Sequence, residues 1–164
     1  SLPPGEEGEV VATGDNLMHG YFNDAAETAR VLRDGRLHTG DIGRLDNDGY
    51  LFLSGRTREM IKSGANRISP LEIENVVALM PDVFESAAVG RPDELLGETI
   101  HVAVVRKGQS LTEEDILRHC RAHLALFKTP KSIEFVESLP KTSTGKIQRN
   151  LLRERLFKTV LSTG

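Results

Sequence analysis

The stretch Pro140-Lys141-Thr142-Ser143-Thr144-Gly145-Lys146-Ile147-Gln148-Arg149 separates a strand-like run at residues 133–136 from a helical pattern near the C-terminus. Pro140 fixes its own φ and ends strand pairing, while Gly145 leaves the loop conformationally free. Lys146 therefore lies on a loop directly before a helix N-terminus, which itself favours anions. A long cation in this place can reach a phosphate or a carboxylate and neutralise charge that develops in a transition state. The apolar positions that predict the helix are Ile147, Leu151, Leu152 and Leu156.

Two other interpretations of Lys146 compete with this one. A Gly-Lys pair also occurs in the phosphate-binding loop, but that motif needs a glycine five residues earlier and Ser or Thr after the lysine. Pro140 and Ile147 stand at those positions, so the motif is excluded. The second interpretation is a solvated surface cation, because most lysines are exposed and have no specific role. The local sequence leaves that interpretation open.

Size and composition are those of a globular protein with one domain, or with a small domain and an appendage. No apolar run approaches the roughly 18 residues that a membrane span needs. The net charge of -3 argues against nucleic-acid binding. Cys120 is the single cysteine, so no internal disulfide can form, which favours a reducing, cytoplasmic location. It lies on an apolar stripe with Ile116, Leu117 and Leu124, which predicts a core residue and not a nucleophile.

The first third of the chain is β-like and rich in glycine. Residues 8–13 predict a strand, residues 24–33 a short helix, and residues 37–53 a hairpin around an Asp48-Gly49 turn. Thr39-Gly40-Asp41 predicts a tight turn at a strand edge. A carboxylate there can accept both hydroxyls of a ribose, although Gly and Asp are also the usual residues of a plain turn.

Helices and strands alternate in the rest of the chain. Residues 60–68 predict a second hairpin, and Ser69-Pro70-Leu71-Glu72 predicts a capping box with proline at the first helical position. Thr112 and Asp115 predict the start of another helix. Apolar, β-branched runs predict strands at residues 86–89, 100–105 and 133–136.

This order of elements predicts an α+β fold, in which a β-hairpin and a three-stranded sheet are packed by helices. The boundary with the β-rich first part falls near residues 54–58. The predicted domains are therefore residues 1–54 and residues 55–164.

Two basic segments flank the predicted loops. Each contains a single acidic residue, Glu59 in the first and Glu154 in the second, and both segments suit a polyphosphate ligand. Arg67 is for this reason a candidate cofactor-binding residue, although charge runs are more often solvated surface. The cations are Arg56, Arg58, Lys62 and Arg67 in the first segment, and Lys141, Lys146, Arg149, Arg153, Arg155 and Lys158 in the second.

Taken together, the motifs resemble the adenylate-forming ligase superfamily of acyl-CoA synthetases, luciferases and the adenylation domains of peptide synthetases. Each motif alone is weak, but the set covers nearly the whole chain in the family's order and spacing. The matching stretches are Gly20-Tyr21-Phe22-Asn23-Asp24 with Glu27-Thr28, Leu37-His38-Thr39-Gly40-Asp41, Asp48-Gly49-Tyr50, Gly55-Arg56 through Ile61-Lys62 to Ile73-Glu74, and Pro140-Lys141-Thr142 with Gly145-Lys146 and Arg149.

The resemblance implies an enzyme that activates a small-molecule carboxylic acid with ATP to an acyl-adenylate and then transfers the acyl group to coenzyme A. The family's phosphate loop, adenine and acyl pockets and Mg²⁺-binding glutamate belong to a large N-terminal domain and do not occur in this sequence. Residues 55–164 would thus be the mobile C-terminal lid, and residues 1–54 a remnant of the large domain. The implied partner is that large domain, and the chain alone is expected to be inactive. No metal ligand is assigned to this chain.

The resemblance also implies roles for single residues. Asp41 would hold the ribose hydroxyls, and Arg56 the same ribose or the phosphate. Lys146 would stabilise charge between carboxylate and α-phosphate during adenylation. Arg58 falls on the hinge position, usually Asp or Lys, about which the lid rotates between the two half-reactions. Lys62 matches a lysine that some members bring to the active site for the second half-reaction.

One residue departs from the family pattern. Ala65 replaces a usual glycine on the strand that lines the pantetheine tunnel, where a methyl group can crowd the acceptor. The change is small, and coenzyme A remains the expected acceptor.

In an alternative hypothesis the chain is an autonomous regulatory or binding module related to the lid, and Lys146 is a target for acetylation. The strands predicted within residues 8–53 look like part of a larger sheet, which favours a fragment of a ligase over such a module.

Overall fold

The computed structural model describes residues 2–157. The chain divides into two compact units, Ser1–Arg58 and Glu59–Gly164, and each is described by itself. No helix in the described range is long and apolar enough to cross a membrane.

The first unit is a four-stranded antiparallel sheet. Strand β3 (Arg36–Leu45) lies at its centre and pairs with β1 (Gly8–Ala12) along one edge. Along its other edge it pairs first with β2 (Leu32–Arg33) and then with β4 (Leu51–Arg56). Helix α1 (Ala25–Val31) precedes β2. The strand and the hairpin predicted in this region are therefore confirmed.

The predicted helix at residues 24–33 extends two residues too far at its C-terminal end. Asp24 caps it as a side-chain acceptor for the Glu27 backbone N–H at 2.9 Å, but the helix ends at Val31. The next two residues pair with β3 across the turn Asp34-Gly35. Both turn residues have positive φ, 51° and 69°, as a two-residue hairpin turn requires. This Asp-Gly pair therefore closes a hairpin, and pairing across it ends the helix early.

Three central strands organise the second unit. Strand β7 (Val83–Asp93) runs antiparallel to β8 (Gly97–Arg106), and β9 (Ser132–Phe135) runs parallel to β8 on its other side. All three predicted strands are confirmed, and the fold class is α+β. Their apolar runs lack strict alternation because β7 and β8 are buried on both faces.

The predicted second hairpin is confirmed and extends the sheet. It consists of β5 (Ile61–Ser63) and β6 (Asn66–Ile68), and Ser63 of β5 pairs with Gly97 of β8. The sheet therefore has five strands, of which the sequence predicted the central three and the hairpin as separate parts.

Helices cover both faces of this sheet. Helices α2 (Pro70–Ala78) and α3 (Glu113–His123) pack on one face, and α4 (Arg149–Phe157) packs on the other. Alternate strand residues confirm this, because neighbours in a strand point to opposite faces. The first face is formed by Ile73, Val77, Ala88, Val102, Val104, Ile116 and Cys120, and the second by Ala87, Val89, Ala103, Leu152 and Phe157.

Cys120 is fully buried in the first of these clusters, as predicted. Burial raises the pKa of its thiol to about 11, because the apolar surroundings disfavour the thiolate. The thiol therefore stays protonated near neutral pH and acts as an apolar core group.

The predicted helix start at Thr112 and the predicted capping box at Ser69 differ in outcome. At α3, Thr112 Oγ1 accepts from the Asp115 backbone N–H and Asp115 Oδ2 accepts from the Thr112 backbone N–H, at 3.2 and 3.1 Å. At α2, Pro70 opens the helix, but Ser69 makes no side-chain capping bond, so this prediction was wrong. The Glu72 carboxylate, the expected second partner of the box, accepts from Lys128 Nζ at 2.7 Å.

Substitution of Ile73 by alanine should lower the free energy of unfolding by about 2–5 kcal/mol, because Ile73 is completely buried and its removal leaves a cavity. Leu79→Ala is the matched control at the C-terminal end of the same helix, since Leu79 is 68% exposed. Urea denaturation followed by circular dichroism measures both changes. Equal midpoints for the two variants would contradict the packing of α2.

Candidate functional site

The predicted ribose site, Thr39-Gly40-Asp41, forms a bulge inside β3 and not the turn at a strand edge that the sequence suggested. Glu9 and Val11 of β1 pair with Ile42 and His38, so one β1 residue faces the three residues of the motif. Such a bulge re-aims a side chain without ending the strand. Gly40 has a φ of 72°, which glycine adopts readily.

Hydrogen bonds fix this bulge and place Asp41 beside Arg56. Thr39 Oγ1 donates to the Val10 carbonyl at 2.7 Å and accepts from the Asp41 backbone N–H at 3.0 Å. Asp41 and Arg56 are cross-strand partners, and Arg56 Nε lies 2.8 Å from Asp41 Oδ1. Their side chains are 25% and 45% exposed, so the pair is open to a ligand. The structure thus brings together both residues predicted for the ribose.

His38, next to this bulge, was not assigned a role from the sequence. Its Nδ1 lies 2.8 Å from Glu9 Oε2, and this hydrogen bond lowers the pKa of the Glu9 carboxyl. The contact ties β1 to β3 directly beside Thr39. The sequence feature that could have pointed to His38 is its position in the motif Leu37-His38-Thr39-Gly40-Asp41.

Lys146 lies on a closed loop. The Thr142 backbone N–H donates to the Lys146 carbonyl at 2.8 Å, and Thr142 Oγ1 accepts from the Lys146 N–H at 3.1 Å. Gly145, at a φ of 82°, donates to the Thr142 carbonyl, and Lys141 forms a β-bridge with Ile147. The loop predicted as flexible is therefore held by its own backbone. Lys146 itself is exposed, and its ammonium forms no ion pair within residues 2–157.

The other cations of this segment are largely neutralised, contrary to the prediction of a basic cluster for polyphosphate. The sequence shows one nearby acid, Glu154, but the fold brings carboxylates from distant elements. Arg155 is exposed, and Lys158 lies outside the described residues. The ion pairs are Lys141–Glu85 at 2.5 Å, Arg149–Glu74 at 2.7 Å, Arg149–Glu59 at 3.1 Å and Arg153–Glu98 at 2.9 Å.

The predicted second lysine lies on the β5–β6 hairpin. Lys62 and Arg67 are cross-strand partners, and both are exposed. Gly64 has a φ of 59° and Ala65 is exposed at the turn, so its methyl group is not packed within the second unit. Arg58 lies in a short 3-10 helix (Thr57–Glu59) and is the last residue of the first unit.

His101 is a buried polar residue that sequence reasoning missed, although it interrupts an apolar strand. Its Nδ1 lies 2.8 Å from Ser132 Oγ, and its ring meets Phe157 edge-on with centroids 5.4 Å apart. Burial, with a smaller effect of Arg91, lowers the pKa of His101 to about 4. The ring is therefore neutral near pH 7, and its 3.7 Å approach to Glu134 is not an ion pair there.

No group of three or more His, Cys, Asp or Glu side chains in the described part of the chain is placed to hold a metal ion. The site features of this chain are thus the Asp41–Arg56 pair in the first unit, and the Lys146 loop and the Lys62–Arg67 hairpin in the second.

Comparison with known proteins finds relatives over nearly the whole chain. Residues 72–146 match the family described as AMP-binding enzyme C-terminal domain. An oxalate–CoA ligase of Arabidopsis thaliana is 44% identical over 156 residues, which cover 94% of this chain and 30% of the relative. The chain therefore spans about a third of the length of the relatives it matches.

Solved structures give the same result. ATP-bound MatB from Rhodopseudomonas palustris has a TM-score of 0.88 at 37% identity, over 97% of this chain and 32% of that one. The o-succinylbenzoate CoA synthetase of Bacillus subtilis, in complex with its acyl-adenylate, has a TM-score of 0.87 at 32% identity, over 93% and 31%. Residues 72–146 therefore carry an AMP-binding enzyme C-terminal domain, the relatives of this chain are CoA ligases, and its structural neighbours are adenylate-forming enzymes.

Proposed function

We propose that this chain works as the C-terminal part of an ATP-dependent acyl-CoA ligase that forms an acyl-adenylate and passes the acyl group to coenzyme A. The observation that carries the proposal is that the Lys146 ammonium forms no ion pair within the described residues. Its ammonium is exposed on a closed loop, while Lys141, Arg149 and Arg153 around it are paired with carboxylates. A fold that neutralises the neighbours and leaves this cation open suits a residue kept for a ligand.

In the first half-reaction, a carboxylate oxygen of the acid attacks the α-phosphorus of ATP and the bond to pyrophosphate breaks. Negative charge builds up between the two reacting groups, and the Lys146 ammonium stabilises it electrostatically. Asp41 accepts hydrogen bonds from the ribose hydroxyls, and Arg56 binds the same ribose or the phosphate. One structural neighbour holds ATP and another an acyl-adenylate, which supports nucleotide binding by the complete enzyme.

In the second half-reaction, the sulfur of coenzyme A attacks the acyl carbon and AMP leaves. Lys62 is the candidate for this step, and Arg67 is a candidate cofactor-binding residue beside it. Like charges directly opposite each other in a sheet repel, so an anionic ligand would stabilise this pair. Arg58 is the proposed hinge between the two half-reactions, and its place at the end of the first unit supports that role.

The rest of the site is proposed to lie on a large N-terminal domain. The Mg²⁺ ligand is proposed to lie on that domain, as the resemblance to the ligases implies. The acyl pocket is assigned there as well, and with it the identity of the carboxylic acid. The chain alone is therefore proposed to be inactive.

A second candidate function is regulation through Lys146, supported by the exposure of its ammonium. Acetylation would remove the charge and stop adenylation. With acetyl phosphate as donor, mass spectrometry should find Lys146 modified faster than Lys131, an exposed lysine without a proposed role. Equal rates at the two lysines would argue against a selective regulatory site.

Lys146→Ala in the complete ligase should lower the rate of adenylation by about 100-fold or more, because one preorganised charge at the transition state is lost. Thioester formation from preformed acyl-adenylate should change little. Single-turnover measurement of pyrophosphate release and of thioester formation separates the two effects. Lys131→Ala is the control, and an equal loss in both half-reactions for Lys146→Ala would contradict the assignment.

Asp41→Asn should weaken adenylation with ATP by about 10-fold or more, because a charged acceptor for the ribose hydroxyls is replaced by a neutral one. With 3′-deoxy-ATP the substitution should have a much smaller effect, since one of those hydroxyls is already absent. Steady-state kinetics with both nucleotides tests this coupling. Asp48→Asn, in the exposed turn of the same hairpin, should show no such dependence on the nucleotide.

A further inference from the structure

Two arginines one turn apart on α4 each reach carboxylates on other elements of the second unit. Arg149 and Arg153 are four residues apart and therefore lie on the same face of the helix. Arg149 binds Glu74 and Glu59, and Arg153 binds Glu98. These contacts lie close to Lys146 and Lys62, the lysines proposed for the two half-reactions. The helix face can therefore contribute to function as well as to stability.

Arg149 is the more buried of the two, with 20% of its side chain exposed. Its Nη2 donates to both carboxylate oxygens of Glu74 at 2.8 and 2.7 Å, and its Nη1 donates to Glu59 Oε2 at 3.1 Å. Glu74 Oε1 also accepts from the Ala88 backbone N–H at 2.8 Å. Arg149 thus fixes the first residue of α4 to α2, to β7 and to the segment next to Arg58.

The Lys146 loop is anchored on this arginine. Gln148, directly before Arg149, donates from its backbone N–H to the Pro140 carbonyl at 2.8 Å and from Nε2 to the Lys141 carbonyl at 2.7 Å. The two ends of the loop are therefore closed on each other, and Arg149 fastens the closed loop to the body of the unit. Lys146 lies three residues from that anchor.

Arg153 is connected to Lys62 through the Glu98 carboxylate. Arg153 Nη2 donates to Glu98 Oε1 at 2.9 Å, and Glu98 Oε2 accepts from the Lys62 backbone N–H at 2.8 Å. Strand β5 pairs with β8 only at Ser63 and Gly97, so the Glu98 carboxylate extends that short attachment to Lys62.

The Glu98 carboxylate lies against Gly90 of β7. A Cβ atom at position 90 would lie 2.5 Å from the carboxylate carbon and from Oε2. Any side chain at this position would push the carboxylate aside. Gly90→Ala is therefore a way to displace Glu98 without changing a charge.

We propose that Arg149 and Arg153 are positioning residues that serve different half-reactions. Arg149 holds the Lys146 loop for adenylation, and Arg153, through Glu98, holds Lys62 for thioester formation. This inference rests on the proposed function, because it uses the two lysine roles stated there. It adds that one helix supports both roles from adjacent turns.

A purely structural role makes a different prediction. Removal of one partner from a partly buried ion pair leaves a charge without compensation and destabilises the unit. Such destabilisation lowers both half-reactions by the same factor. Separate positioning instead lowers one half-reaction for each arginine, so the ratio of the two rates distinguishes the cases.

The test uses Arg149→Lys and Arg153→Lys in the complete ligase. Each variant keeps the positive charge. Arg149→Lys loses the planar fork that binds Glu74 and Glu59 at once, and Arg153→Lys loses the guanidinium N–H that donates to Glu98. Arg149→Lys should lower single-turnover pyrophosphate release by about 10- to 100-fold, since misplacement of a catalytic group by about 1 Å has effects of that size. Thioester formation from preformed acyl-adenylate should stay within about 3-fold, a difference of roughly 0.7 kcal/mol.

Arg153→Lys should show the reverse pattern, and Glu98→Gln and Gly90→Ala should reproduce it. Arg118→Lys is the matched control, because Arg118 is an exposed arginine paired with Asp115 on α3. Where Arg149→Lys fails to fold, Glu59→Gln loosens the same anchor from its more exposed side.

Lys146→Ala and Lys62→Ala are measured beside these variants. If Lys146→Ala leaves adenylation unchanged, the proposed function is overturned whatever the arginines do. If both lysines behave as proposed but the arginine variants lower the two half-reactions equally, or change neither, the positioning inference is overturned and the proposed function stands.

Discussion

Burial of strand β8 on both faces is the constraint on which the second unit depends. Residues 100–104 are apolar or small except for His101, and all of them are nearly inaccessible to water. A strand of this kind is stable only when helices cover each face of its sheet. Helices α2 and α3 cover one face, so the chain after β9 has to supply a helix to the other. The Lys146 loop lies in the segment that connects β9 to this helix, α4. Its position therefore follows from the need to cover the second face of the sheet.

Electrostatics separates the cation kept for a ligand from the cations that hold the fold. Arg149 is largely withdrawn from water and has two carboxylate partners, whereas Lys146 is open to solvent. Arginine suits the first role because its planar fork binds two oxygens, and lysine suits the second as a single charge on a long, adaptable stem. The two residue types along this short segment therefore reflect two different physical tasks.

Sequence patterns predicted most of the elements, because periodicity, caps and turn residues act locally. The Thr112 cap, the β5–β6 hairpin and the three central strands were found in this way. The failures came from contacts that periodicity does not show. Glu72 binds Lys128 and no side-chain cap forms at Ser69, and the pairing of β2 with β3 ends α1 early.

The candidate site was likewise predicted only in part from the sequence. The motif Thr39-Gly40-Asp41 was visible in the sequence, but its form as a bulge depends on pairing with β1, some 30 residues earlier. The basic segments looked unpaired because Glu59, Glu74, Glu85 and Glu98 are distant in sequence from the cations they bind. Arg149 was noticed only as part of a motif and of a basic segment, since nothing local indicates that it is buried.

The close approach of the Glu98 carboxylate to Gly90 links two positions that lie on different strands. The two residues constrain each other. A side chain at position 90 would collide with the Glu98 carboxylate, and that carboxylate can bind the Lys62 backbone N–H because Gly90 has no side chain. Among related sequences the two positions should therefore covary. A side chain at position 90 should be accepted only where position 98 is no longer acidic, and the attachment of the hairpin would then have to be encoded elsewhere.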